Sequence, residues 1–277
     1  MKKLLLSWVF VLSLLTFCHV LFPERACAQA SSAIPLVIDR KTTDVTGTLI
    51  NSTTYVPLRA VTYLLHPGAE VAWENSQAII RSPRLYACAK PGKAYMEANG
   101  RMLYIKDGVK LINGSTMVPI RVLAKTLGAQ VSWDSNTKTV YITCGSDAIL
   151  SGEQYYDDED LYWLSRIISA ESAGEPLEGK IAVGNVVINR VNNPDFPNSI
   201  YDVIFDLKWG VQFQPVANGT IYNDPTWESI LAAKLCLDGA STAGDSLYFL
   251  NPCKSTNFWA TKNCVYYSTI GNHDFYA

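Results

Sequence analysis

The stretch 161–191 reads LYWLSRIISAESAGEPLEGKIAVGNVVINRV, and its folding decides what the C-terminal half of the chain is. Leu161, Leu164, Ile167 and Ile168 recur at helical spacing and give a first helix one apolar face. At about 100° per residue, Glu171 falls inside that face, between the directions of Leu164 and Ile167. An acid therefore stands at the C-terminal end of a buried stripe. Gly174 is the expected helix stop, and Pro176 the start of a second helix. That helix, roughly 177–191, carries Ile181, Val183, Val186, Val187, Ile188 and Val191. It is apolar nearly all round, as a central core helix is. Its β-branched content also suits a strand, but its length favours a helix.

A carboxyl set in an apolar wall resists ionisation, because desolvation disfavours the charged form. The partial negative charge of a helix C-terminus pushes the same way. Both make Glu171 a candidate general acid near neutral pH. The competing reading is a structural Glu paired with Arg166 or Arg190, and spacing by itself leaves both open.

Upstream, residues 145–160 (GSDAILSGEQYYDDED) read as a short polar linker. Its acidic run Asp157-Asp158-Glu159-Asp160 suits a helix N-terminus better than a metal. Downstream, residues 192–199 are turn-rich, 201–207 are amphipathic, and Val211-Gln212-Phe213-Gln214-Pro215-Val216 precedes the turn Asn218-Gly219. A third helix is expected over 225–237, capped by Asp224 or Thr226, with Trp227, Ile230, Leu231 and Leu235 on one face. Leu247–Pro252 reads as a strand ending in a turn, and the chain closes with Ile270-Gly271-Asn272-His273-Asp274-Phe275-Tyr276.

The N-terminal half repeats itself. Tyr55-Val56-Pro57-Leu58-Arg59-Ala60-Val61 answers Met117-Val118-Pro119-Ile120-Arg121-Val122-Leu123. Gly68-Ala69-Glu70-Val71-Ala72-Trp73-Glu74 answers Gly128-Ala129-Gln130-Val131-Ser132-Trp133-Asp134. Each copy reads strand, turn, strand, short helix, turn, strand with Trp, turn, strand, with turns at Asn51-Ser52, Asn113-Gly114 and 134–136. Two short repeats are expected to share one core, since each alone is small for independent stability. Arg59 and Arg121 are read as buried arginines bonding turn carbonyls rather than as binding residues.

This doubled pattern resembles the copper amine oxidase N-terminal-like domain, over roughly 34–143. No copper site is expected, because His66 is the region's single histidine and copper wants several imidazole or thiolate ligands. The half is read as a wall-targeting or spacing module. In the C-terminal half, WLSRIISAESAGEPLEGKIAVGNVVINRV, QFQPV, LYFLNP and IGNHDFY resemble the spore cortex-lytic, cell-wall hydrolase family. The resemblance implies a lysozyme-like, mainly helical domain and cleavage of peptidoglycan glycan strands by lytic transglycosylation. It makes Glu171, in Ala170-Glu171-Ser172-Ala173-Gly174-Glu175-Pro176, the catalytic acid. Gln212 and Asn251 are candidates to hydrogen-bond sugar groups, Phe213, Tyr248 and Trp259 to pack on sugar faces, and His273 to bond near the cleft. For each, a core or turn role competes. Glu175 and Glu178 are assigned to the turn and the second helix's N-terminus. The family's Q-F-[ST]-P-V has Gln214 at its third position here.

The expected fold class is therefore α+β in two domains. A signal peptide spans 1–30, a tandem-repeat α+β domain 31–144, a linker 145–160, and a mainly α catalytic domain with a small β part 161–277. Met1-Lys2-Lys3, the apolar run from Leu4 to Phe22 and the sites Ala26-Cys27-Ala28 and Ala28-Gln29-Ala30 fit a cleaved secretory leader, with an uncleaved membrane anchor as the alternative. Of 277 residues, 48% are hydrophobic and 17% charged, which excludes a disordered chain. Removing 1–28 takes Lys+Arg from 23 to 20 and Asp+Glu from 25 to 24, a net charge of −4. That balance argues against nucleic acid and against electrostatic capture of an anionic polymer. A saccharide, from spore cortex or vegetative wall, would be held by hydrogen bonds and aromatic faces, most of the Trp and Tyr being core.

Export permits disulfides among Cys88, Cys144, Cys236, Cys253 and Cys264; Cys253 with Cys264, and Cys88 with Cys144, are candidate pairs. No cofactor or metal is expected. Two rivals remain. One is a wall thiol amidase or peptidase pairing His273 with Cys236, Cys253 or Cys264; the other is a non-catalytic wall-binding protein.

Overall fold

The computed structural model describes residues 33–145, 148–208 and 210–277; the leader expected at 1–30 lies outside them. The chain is α+β in two regions. The first opens with β1 (Ala33–Ile38), β2 (Lys41–Ile50), β3 (Thr53–Pro57), α1 (Leu58–Leu65), β4 (Glu70–Glu74) and β5 (Gln77–Ser82). It continues with β6 (Leu85–Ala89), β7 (Tyr95–Ala98), β8 (Arg101–Tyr104), β9 (Lys110–Ile112), β10 (Ser115–Pro119), α2 (Ile120–Thr126), β11 (Gln130–Asp134) and β12 (Thr139–Thr143). Five of its hairpins turn on two residues, both at positive φ: Asp39-Arg40, Asn51-Ser52, Asn75-Ser76, Asn99-Gly100 and Asn113-Gly114. That geometry matches the right-handed twist of the flanking strands, and Asn and Gly tolerate it best.

Seven strands form one sheet in the order β11-β12-β1-β2-β3-β10-β9, and five form another, β4-β5-β6-β7-β8. The β1–β12 pair is parallel and the other pairs are antiparallel. The two Val-Pro segments meet as strands, Val56 opposite Val118, Tyr55 opposite Pro119 and Pro57 opposite Met117. One apolar core, including Leu36, Val56, Ile80, Met96, Leu123 and Ile142, fills the region. Arg59 and Arg121 are both exposed, which corrects the expectation of buried arginines; Arg121 does donate to the carbonyl of Val131 at 3.1 Å. Both repeat tryptophans, Trp73 and Trp133, lie exposed on edge strands.

The second region holds α3 (Gly152–Tyr155), α4 (Asp158–Ser172), α5 (Leu177–Val191), α6 (Ile200–Ile204), α7 (Gln214–Asn218) and α8 (Trp227–Leu237). It ends with β13 (Tyr248–Leu250), α9 (Trp259–Asn263), β14 (Tyr266–Ile270) and β15 (His273–Tyr276). The last strands make a small sheet, β13-β15-β14. α5 is the central helix, packed between α4, α8, α6 and the small sheet. It is buried on nearly every side, down to Lys180 and Arg190. α4 starts three residues before Leu161, because Asp157 caps it by accepting from the backbone N–H groups of Glu159 and Asp160.

α8 departs from its expected face. Trp227 is 64% exposed and Ile230 is exposed, while Ser229, Leu231, Ala232, Ala233, Leu235 and Cys236 are buried. Small residues let the helix approach α5 closely: a Cβ on Gly184 would stand 2.7 Å from Cys236 Sγ and 2.8 Å from Ile168 Cδ1. The aromatics also sit further out than expected, with Tyr162, Tyr201, Tyr222, Trp259, Tyr266 and Tyr267 exposed.

The segment expected as a polar linker is built into the structure. The Asn99 carbonyl accepts from the Gly152 N–H at 2.8 Å, and the Tyr156 hydroxyl accepts from the Met102 N–H at 3.0 Å. At the same seam Asp238, at the end of α8, is 1% exposed at its side chain. Arg101, Tyr156 and Lys125 all donate to its carboxylate, the Lys125 bond at 3.1 Å. Arg101 also lies over the Tyr155 ring, 3.2 Å from its centroid. Tyr95, Met102 and Tyr104 of the β7–β8 hairpin pack against the second region's core. All five cysteines of the described residues are free, so the two candidate disulfides are not formed. Cys88 lies in β6 of the five-stranded sheet, whereas Cys144 follows β12 of the seven-stranded one, and the Cys88 thiol donates to Glu97 instead.

Candidate active site

Leu164, Ile167 and Ile168 are fully buried, and Glu171 follows them on the same face, half-buried at the end of α4. Burial alone raises its carboxyl from 4.5 to about 7. Among the described residues nothing donates to it. Arg166 pairs with Asp224 at 3.0 Å and lies over Tyr162, 3.7 Å from the ring centroid. Arg190 points elsewhere, as shown below. The structural ion pair that competed for Glu171 is therefore absent from these residues.

The break after α4 is braced from two sides. Gly174 is not at positive φ, so it is no left-handed stop; the helix ends because Pro176 has no N–H to continue it. The Glu175 carbonyl accepts from the buried Lys180 ammonium, and its carboxylate accepts from Asn272 N–H at 2.8 Å and Asn272 Nδ2 at 3.0 Å. Burial pushes the Glu175 carboxyl up, but the Asn272 bonds and nearby His273 and Lys180 hold it below its ordinary range overall. Its assignment to the turn is thus met, with a partner in the β14–β15 turn. His273 Nδ1 stands 3.8 Å from Glu175 Oε1 without a hydrogen-bond partner. Burial lowers the imidazole's pKa, against the opposing pull of Glu175.

The other candidates fall into two groups. Phe213 is 2% exposed, with its ring 6.4 Å from that of Phe249, so it packs in the core and offers no open face to a sugar. Asn251 accepts from the Cys253 N–H through Oδ1 at 3.0 Å, a turn role. Gln212 is half-buried and donates only to the Gly210 carbonyl at 3.0 Å. Tyr248 is half-buried and meets the exposed Trp259 edge-on, 5.4 Å between centroids.

Arg190, which spacing offers as a partner for Glu171, is placed among rings instead. Arg190, 5% exposed at the last turn of α5, donates through Nε to the Leu247 carbonyl at 2.8 Å. Its guanidinium sits 5.0, 5.2 and 5.3 Å from the ring centroids of Phe196, Phe213 and Tyr248. NH1 has no partner, and burial lowers the group's pKa to about 10. The rings and the negative end of α5 stand where a carboxylate would be expected.

The thiol-hydrolase arrangement is not formed. Cys236 is buried and bonds to the Ile181 carbonyl at 3.4 Å, burial pushes its thiol up, and His273 faces Glu175. No group of three or more His, Cys, Asp or Glu among the described residues is placed to hold a metal. His66, at the end of α1, has no such companions, so these residues do not fit copper.

Residues 174–276 of this region match the family described as Cell Wall Hydrolase. Residues 37–142 match the Copper amine oxidase N-terminal domain. The first match begins three residues after Glu171. Among individual proteins, the chain is 33% identical over 120 residues to a spore cortex-lytic enzyme of Halalkalibacterium halodurans, covering 43% of this chain and 35% of that protein. It is 35% identical over 104 residues to the spore cortex-lytic enzyme of Bacillus subtilis, covering 38% and 33%. The chain thus spans about a third of the length of these relatives. It is also similar to the solved catalytic domain of the germination-specific lytic transglycosylase SleB from Bacillus anthracis, at 33% identity and a TM-score of 0.41, covering 44% of this chain and 97% of that one.

Proposed function

We propose that the chain is an exported peptidoglycan-degrading enzyme, a lytic transglycosylase that cleaves the bond between N-acetylmuramic acid and N-acetylglucosamine. The observation that carries this is Glu171: a carboxyl with no donor among the described residues, raised to about 7 by burial and so still partly protonated at neutral pH. Glu171 gives its proton to the glycosidic oxygen as the bond to the muramic C1 breaks. The muramic 6-hydroxyl then forms its bond to C1, and its proton returns to Glu171. The product carries a 1,6-anhydromuramic end.

Hydrolysis by paired carboxylates needs a second free acid across the bond. The acid nearest in the chain, Glu175, is engaged by Asn272 on both oxygens, which favours the single-acid route. Tyr248 and Trp259 offer ring surface to the sugars, with Gln212 as a polar contact. The names of the relatives favour spore cortex, with vegetative wall as the other substrate. We read β3-α1-β4-β5 and β10-α2-β11-β12 as two copies of one unit, in a module that holds the enzyme to the wall.

Digestion of purified cortex and vegetative sacculi, with products resolved by mass spectrometry, tests this reading. Anhydro-muropeptides are expected from the native chain and none from Glu171→Gln. Anhydro ends from the folded Gln variant, or freed peptide stems instead, would overturn it.

A further inference from the structure

α5 carries the chain away from the Glu171 break to a loop at its far end. Fifteen helical residues at about 1.5 Å each place that loop on the order of 20 Å from the break. There, Asn192, Asn193, Asn198, Pro194, Pro197 and Phe196 line a shallow cavity of about 490 Å³. Among the described residues, no titratable side chain lines it. Asn193 is committed to the loop, since its Oδ1 accepts from the Asp195 N–H at 2.9 Å. Asn192 and Asn198 are exposed, and their amides make no hydrogen bond among the described residues.

Planar amides beside a ring, with no charged group in the cavity lining itself, are suited to a neutral ligand rich in hydroxyl and amide groups. A charged peptide stem or a phosphate finds no counter-ion among them. On its aromatic side the cavity's Phe196 adjoins the rings offered above to the sugars. The Phe196 ring is 6.3 Å from that of Tyr248, which meets Trp259, and Arg190 sits against both Phe196 and Tyr248. The loop is thereby held in place by a group whose own position is set by Leu247.

We propose that the 192–198 loop is a distal saccharide subsite, which grips the glycan strand several sugars away from the bond that Glu171 cleaves. Asn192 and Asn198 hydrogen-bond the sugar hydroxyl and acetamido groups, and Phe196 lies under a ring face. The site rests on the glycan reading above and adds a preference for strand length: strands long enough to span α5 are favoured over short fragments.

The test uses the full chain carrying Glu171→Gln, so that binding is read without cleavage. It is titrated with soluble, peptide-free peptidoglycan strands of graded length. Adding Asn192→Ala and Asn198→Ala together is expected to weaken binding of long strands about tenfold, the sum of two ordinary hydrogen bonds. Affinity for fragments too short to span α5 stays as it was. In the Glu171-intact chain the loss falls on KM for long strands rather than on kcat. Unchanged affinity for long strands, or an equal loss for short and long ones, overturns the subsite. If the strands bind with this length dependence but the native chain yields no anhydro ends, the subsite stands and the catalytic reading falls. Binding of free stem peptide at the loop, blocked by the same double substitution, would also refute a saccharide site.

Discussion

Glu171→Gln should make the protein inactive and, above neutral pH, more stable. The folded chain holds the Glu171 proton up to about pH 7, whereas the unfolded carboxyl releases it near 4.5. Folding therefore favours the protonated form. The stability tied to that proton is fully present below the unfolded value and is lost as pH rises through the folded one. At 1.36 kcal/mol per pH unit, and with allowance for partial exposure, the loss between pH 4 and pH 8 is about 2 to 3 kcal/mol. Gln has nearly the same shape and cannot ionise, so it escapes the loss. Urea unfolding should give closely similar midpoints for both proteins at pH 4. At pH 8 the variant's midpoint should be higher by about 1 M. An offset that is the same at both pH values, or a variant less stable at pH 8, would show that Glu171 is not held protonated by burial. The rate should fall along the same titration, about tenfold per unit above pH 7.

Asp238→Ala leaves the buried Arg101 and the Tyr156 hydroxyl without their acceptor, and should cost about 3 to 5 kcal/mol in chemical denaturation. Gly271→Ala forces a Cβ into Glu175 Oε2 and to 3.0 Å from Pro176 Cδ, at a residue with φ +61°. It should lower kcat more than KM, since the turn that braces the Glu171 break must move; an unchanged kcat would count against that brace. Gly184→Ala overpacks the α4–α5–α8 crossing against Cys236 and Ile168 and should cost about 1 to 3 kcal/mol, read as a lower Tm.

The features legible in the sequence are those set by near neighbours. The 3.6-residue period placed Glu171 beside Leu164 and Ile167, and the length of the apolar run gave α5 its bounds. The Asn-Ser and Asn-Gly pairs marked hairpin turns because few residues tolerate positive φ. What was hidden depends on partners far along the chain. Glu175 meets Asn272 across 97 positions, and Arg101 meets Asp238 across 137. No local pattern announces either bond, nor that Gly152 and Tyr156, in a stretch with a tether's composition, bond to Asn99 and Met102. On α8 bulk points to Trp227 and Ile230 as well as Leu231 and Leu235, but close packing selects the two leucines with Ala232, Ala233 and Cys236. Arg190, a candidate partner for Glu171 by spacing, sits instead among rings from three separate segments, which no local pattern announces.

The seam at Asp238 bears on how this chain can be dissected. A truncation that starts at the family-matched residues would discard Arg101 and Tyr156, stranding an anion inside α8's foot, and would strip Tyr95, Met102 and Tyr104 from the helical body. Grafting the helical region onto another carrier would require the β7–β8 hairpin to travel with it. In this chain the contacts that bury Asp238 cross the border between the two family matches.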